Sequence, residues 1–205
     1  MIHNAMAEFR QRRTFGISMT YEKLDNDELL RVALDAINQD RHADAVSMLK
    51  TLLERDSQHV FGNYLLAAEH AQLGMMDRAE EGFRKTVELA PDFPMGRFQL
   101  GQLYLTKGDA AAAKAVLAPL ANMPADQALT GFSKGLIAAA NEDIGESIRE
   151  IQAGLACPQE IPALTGDMQR VLNNLLALGG DPSPTSPTPP SGAPLYLSKY
   201  GKSGN

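Results

Sequence analysis

The sequence predicts an all-α fold, a solenoid of about four helix–turn–helix units closed by a C-terminal capping helix. Three observations carry this expectation. Small and large residues recur in fixed columns every 34 residues through the body of the chain. Between the columns, apolar residues follow helical spacing over runs of roughly ten to fifteen residues, with few strand-like alternations. Gly and Pro fall where such helices would end.

The columns come first. Ala45, Ala79, Ala113 and Ser147 are all small, as are Ala33, Ala67, Gly101 and Gly135. Leu49, Phe83, Leu117 and Ile151 are all large and apolar; Val32, Leu66 and Leu100 agree with one another, and Lys134 breaks their column. Small residues facing one another let two helices approach closely, and the large apolar residue fills the space beside them. One unit cannot bury such a face alone, so neighbouring units must stack.

The elements follow in order. Asp25 and Glu28 form a capping-box pair ahead of the helical run LLRVALDAI. Asp40-Arg41 interrupts it, and ADAVSMLKTLL is the next helix. Gly74 and Gly108 suit left-handed helix ends, and Pro91 and Pro94 punctuate the following junctions. Pro119 lies inside the second helix of the third unit and predicts a kink or an early end near Leu117. Met168, Val171, Leu172, Leu175 and Leu176 share a face, so residues 162–178 are the natural cap for the last unit.

Residues 26–178 thus form the expected solenoid, flanked by an arm (1–25) and a tail (179–205). In the arm, Met6, Phe9 and Arg13 allow a short amphipathic helix, and a disordered arm is the equal alternative. In the tail, the run from Asp181 to Pro194 holds six prolines. That composition favours an extended polyproline chain and cannot build a packed core. A short apolar cluster, Leu195-Tyr196-Leu197, follows it.

The repeat resembles the tetratricopeptide repeat (TPR) family, whose unit is a 34-residue helix–turn–helix. The third unit matches best, with Leu100-Gly101, Tyr104, Gly108, Ala113 and Leu117; the second has Leu66-Ala67, Gly74, Ala79, Phe83 and Pro91. The first unit has Asp40 at the usual glycine and Ser57 at the closing proline. The fourth is degenerate, with Lys134-Gly135, Glu142, Ser147 and Ile151; Pro124 and Pro158 come one residue early in the third and fourth units. At the family's tryptophan stand Leu29, Asn63, Arg97 and Gly131. The resemblance covers about residues 26–159.

It implies a right-handed superhelix whose first helices line a concave surface where partner proteins bind. The residues implied for that groove are Leu30, Leu34, Phe61, Tyr64, Met95, Phe98, Gln102, Leu105, Leu129, Phe132 and Leu136. The aromatics at 64, 98 and 132 recur every 34 residues and are expected to form one wall. An apolar groove of this kind suits an amphipathic helix or an extended apolar segment of another protein. The expected function is therefore that of an adaptor, chaperone or assembly factor. The alternatives are a structural homo-oligomer, helix packing that buries much of the set, and a groove filled by the chain's own Leu195-Tyr196-Leu197. Some TPR modules clamp a partner's terminal carboxylate with basic residues. Here the matching slots hold Leu30, Leu34, Leu65, Met95 and Gln99, with no positive charge, so that mode is not expected.

Other classes are disfavoured. A net charge of −6 argues against a general nucleic-acid binder, although Arg10, Arg12 and Arg13 make the arm mildly basic. No apolar run reaches the ~18 residues of a membrane span, and no apolar stretch follows the first residues or Arg12-Arg13 as an export signal requires. A cytoplasmic protein is expected. Gly201-Lys202-Ser203 lacks the upstream glycine of a phosphate loop, Tyr196 standing there. The histidines His3, His42, His59 and His70 form no metal-ligand pair, and Cys157 reads as a small packing residue rather than a nucleophile. No cofactor, metal or enzyme activity is expected.

Overall fold

A computed structural model describes residues 21, 23–125, 127–159 and 161–179. The expectations for the arm before residue 21 and for the proline-rich tail after residue 179 lie outside the described residues. Nine helices and no strand occur among the described residues: α1 (Asn26–Asn38), α2 (His42–Arg55), α3 (Val60–Gln72), α4 (Met76–Leu89), α5 (Pro94–Thr106), α6 (Ala110–Ala121), α7 (Ala128–Ala140), α8 (Ile144–Ala156) and α9 (Pro162–Gly179). The first helices of successive units start at 26, 60, 94 and 128, and α9 starts at 162, so the 34-residue period extends to the cap. Each helix packs on the next in the chain, and α5 also meets α7. Contacts that run mainly to neighbours are those of an all-α solenoid.

The small columns lie at the helix crossings. Ala33, Ala45, Ala67, Ala79 and Ala113 have no exposed surface, nor do Leu49, Phe83, Leu117 and Ile151 beside them. A Cβ on Gly101 would come within 2.5 Å of the Leu117 side chain. Ser147 joins its column because its hydroxyl donates to the Gly135 carbonyl on the facing helix at 2.8 Å, which satisfies a buried polar group. The degenerate fourth unit has its own solution. Gly131, at the family's tryptophan position, faces Gly154, and a Cβ on Gly131 would lie 2.6 Å from the Gly154 backbone nitrogen.

The turns inside the units are equally regular. The Asp25 carboxylate accepts from the Glu28 N–H at 2.8 Å, and the Asp25 N–H donates to the Glu28 carboxylate at 2.9 Å, forming the expected capping box. Gly74 and Gly108 have φ of 75° and 78°, and Asp40 and Glu142 occupy the same place with φ of 57° and 62°. The N–H groups of Arg41, Met75, Asp109 and Asp143 reach back to the carbonyls of Ala36, His70, Tyr104 and Ala138 at 2.8–3.0 Å. This is one Schellman turn used four times. Where glycine is missing, an L-residue is held in the left-handed region at a cost of about 1–2 kcal/mol.

One expectation changes in detail. α6 runs through Pro119 to Ala121 instead of ending near Leu117; at 12 residues it is two shorter than α2 and α4. Pro119 sits in the last turn, where few intrahelical bonds remain to be lost. At the C-terminus, α9 buries Leu164, Met168 and Leu172. The small column that admits the second helix of each unit continues to Gln169, whose side chain is exposed. A long polar residue at that position breaks the small-residue column that the earlier units share.

Two pairs of variants test these contacts. Gly131→Ala should lower stability by about 1–3 kcal/mol in urea denaturation, because backbone must move to admit the methyl. Gly166→Ala, with nothing within 4 Å of its new Cβ, should leave stability unchanged or raise it by about 0.5–1 kcal/mol. Glu142→Gly should stabilise by about 0.5–1 kcal/mol through relief of the left-handed strain, whereas Gly108→Ala should destabilise by a similar amount.

Candidate protein-binding site

The eleven groove residues implied by the resemblance divide into two sets. Tyr64, Phe98 and Phe132 have no exposed surface, and Met95 and Leu136 are 7% and 5% exposed. Leu30, Leu34, Phe61, Gln102, Leu105 and Leu129 are half-buried. The aromatic column is therefore core, and the expectation of an open aromatic wall is corrected. The Tyr64 ring lies 5.9 Å from Phe83 and meets the edge of Phe93 at 5.1 Å, with Phe61 stacked on it at 5.8 Å. Phe98 and Phe132 lie 6.5 Å apart. Phe83 belongs to the second unit and Phe93 precedes α5 of the third. The 34-residue spacing thus carries each ring into the seam between units, where its area is needed for packing. What remains of the inner columns is a sparse row of half-buried side chains, with Leu30, Leu34, Phe61, Leu105 and Leu129 among them packed against the core.

The structure also reveals buried polar groups that the sequence reading missed. Glu69, 1% exposed on α3, lies 2.9 Å from His42 Nδ1 at the start of α2. Burial pushes the Glu69 carboxyl above its ordinary range, His42 opposes the shift by hydrogen bond and charge, and Asp40 adds to it. The adjacent His70, 7% exposed, is held below the usual imidazole range by burial, then by Lys50 and Arg78. The pair His42–Glu69 joins residues 27 apart, across the first and second units. No local pattern announces such a contact.

Several hollows open on the surface of the described residues. A crevice of about 820 Å³ between α3 and α4 is lined by Asn63, His70, Arg78, Arg84, Lys85 and several carboxylates. It exists because Gly82 and Ala67 leave the helices without covering side chains; a Cβ on Gly82 would lie 2.7 Å from the Ala67 Cβ. A second hollow of about 460 Å³ lies at the starts of α5, α7 and α9, walled by Pro94, Met123, Leu129, Ile161 and Leu164, with Gln127 and Gln159. Of the eleven implied groove residues, Leu129 alone lines it. No group of three or more metal-ligating side chains occurs among the described residues. Cys157 is half-buried after α8, its thiol donating to the Ala153 carbonyl at 3.4 Å.

Asp167 on α9 is 5% exposed and paired with Arg170. Burial pushes its carboxyl up to about 7, against the pull of Arg170. An acid raised in the folded state holds a proton that the unfolded chain releases, so its stabilising contribution is full at low pH. The contribution declines as pH rises from the ordinary carboxyl range, near 4, toward 7. Asp167→Asn should flatten that part of the stability profile in urea titrations at pH 4.5 and 7.5. Phe98→Ala should cost about 3–5 kcal/mol, measured in the same way, as loss of a core ring does.

The helix-pair architecture has known counterparts. Residues 96–118 match the model of the tetratricopeptide repeat family. No curated protein matches the chain in sequence. Among solved structures, the chain is similar to TTC0263, described as a thermophilic TPR protein of Thermus thermophilus. The TM-score is 0.64 at 20% identity, over 76% of this chain and 84% of that one. It is also similar to MamA 41-end from Desulfovibrio magneticus RS-1, with a TM-score of 0.58 at 19% identity over 77% and 88% of the two chains. A double mutant of the RS-1 MamA gives 0.57 at 19% identity, over 77% and 87%. At these identities the likeness is one of fold. The motif match in the third unit, the 34-residue register of the helix-pair starts and the shared solenoid make this fold similar to that of tetratricopeptide-repeat proteins.

Proposed function

We infer that the chain is a non-enzymatic protein-binding scaffold, an adaptor, chaperone or assembly factor that holds an apolar helical or extended segment of a partner in its concave groove. The observation that carries this reading is the row Leu30, Leu34, Phe61, Leu105 and Leu129, half-exposed on the first helices of all four units. These side chains pack against the buried core and so present apolar area at low cost in side-chain ordering. Repeated along a solenoid, they suit a segment that lies across several units. Gln102 sits among them as the polar member and supplies an amide for the segment's backbone. Tyr64, Phe98, Phe132, Met95 and Leu136 serve this surface as its foundation. A cytoplasmic location goes with the reading, since one unpaired cysteine is usual there.

A second reading, self-association through the cap, draws on Leu176 and Leu178. These are 46% and 62% exposed near the end of α9, the most exposed large apolar residues of that helix.

The readings are separated by one variant each. Leu105→Glu places a charge in the proposed contact at a half-exposed site. Captured partners are identified by mass spectrometry from the native host with wild type as bait, and affinity is then measured by calorimetry. Leu105→Glu should weaken binding at least tenfold, about 1.4 kcal/mol, without a change in melting temperature. The weakening should persist at high salt, because the contact is apolar. Wild-type affinity in a folded Leu105→Glu protein would exclude the groove. A mass that rises with concentration in light scattering and stays monomeric in Leu178→Glu would favour the cap.

A further inference from the structure

We propose that Leu195-Tyr196-Leu197 of this same chain docks into the hollow at the starts of α5, α7 and α9. This is an internal contact, distinct from the partner groove apart from their shared Leu129, and it does not depend on the groove reading. The hollow measures about 460 Å³ and its wall is mostly apolar: Pro94, Met123, Leu129, Ile161 and Leu164. Its volume lies in the range of small-ligand pockets, enough for a few side chains and too little for a helix. Gln159 is already committed, donating to the Gly154 carbonyl at 2.8 Å and accepting from Thr165 at 2.8 Å. Gln127, which precedes α7, makes no side-chain capping bond. Its amide can therefore meet the hydroxyl of an incoming tyrosine.

The occupant follows from where the chain leaves the solenoid. α9 begins at the hollow with Pro162, runs for 18 residues and ends at Gly179, about 27 Å away. The proline-rich run from Asp181 to Pro194 spans about 43 Å when extended at ~3.1 Å per residue. The tether is thus long enough to return along α9 and deliver the next residues to the hollow. Those residues are two leucines flanking a tyrosine, the densest apolar cluster after residue 179. A short tether that can span the distance makes the contact intramolecular, at an effective concentration of the order of millimolar when the linker is flexible. Prolines suit the return path because they remove backbone donors that would otherwise need partners on the helix surface.

The test uses the full chain with methyl-labelled Met, Ile, Leu and Val, compared by NMR with the double variant Leu195→Asp/Leu197→Asp. A second pair of samples carries Cys157→Ser and Ser203→Cys with a nitroxide on the new cysteine, with and without the double substitution. Met123, Ile161 and Leu164 methyl signals should shift in the double variant. The nitroxide should reduce their peak heights at least twofold in the parent and leave them unchanged in the variant. These substitutions fall outside the solenoid core, and the unchanged signals of Leu49 and Leu117 verify that the fold is intact. Identical hollow signals in parent and variant would overturn the proposal. So would shifts confined to Leu34 and Leu105, which would place the segment in the groove, or shifts that vanish on dilution as the mass halves, which would make the occupant a second copy.

Discussion

The close approach of two helices at a column of small residues is the constraint on which this molecule rests. Ala33, Ala45, Ala67, Ala79 and Ala113 are fully buried, an added Cβ on Gly101 or Gly135 would run into Leu117 or Ile151 of the paired helix, and Ser147 bonds the Gly135 carbonyl. Once those backbones are close, Leu49, Phe83, Leu117 and Ile151 have only one place to go, the space beside the crossing. The tight Schellman turn follows from the same demand, since two helices this close need a short connection with a left-handed residue. At α9 the column breaks, since Gln169 stands where the earlier units have a small residue.

The fourth unit shows how far the rule can be stretched. It keeps the crossing by different means, with Gly131 against Gly154 and a hydroxyl of Ser147 bonded to the Gly135 carbonyl. Glycine lowers the steric cost of approach and raises the conformational entropy lost on folding. The turn before α8 carries the further strain of Glu142 at positive φ. This end of the solenoid therefore relies on the covering helix, and α9 buries Leu164, Met168 and Leu172 in return.

Packing also limits what the surface can offer a partner. Rings that recur every 34 residues on the first helices are drawn into the seams between units, because a seam without a large side chain would leave voids. The inner columns are left with half-buried apolar side chains packed on the core. Two features arise from inter-unit packing alone: the His42–Glu69 pair, which places an ionisable contact at the joint of the first two units, and the apolar hollow beneath α5, α7 and α9.

The sequence by itself determined the period, the helix pairs, the capping box at Asp25, the left-handed ends at Gly74 and Gly108 and the position of the cap. Each depends on residues within one turn or on columns in register, so each is legible locally. It did not show that Asp40 and Glu142 would adopt the glycine conformation, because the surrounding helices impose it against the residues' own preference. Nor could it separate Tyr64, Phe98 and Phe132 from Leu34 and Leu105. All five occupy inner columns of first helices, and only the distance between neighbouring units settles which side chains are covered. Burial of a residue in a solenoid is set by the unit next door. That is why the tertiary structure alone turned the expected aromatic wall into core, and why the hollow at the helix starts had no signal in the chain.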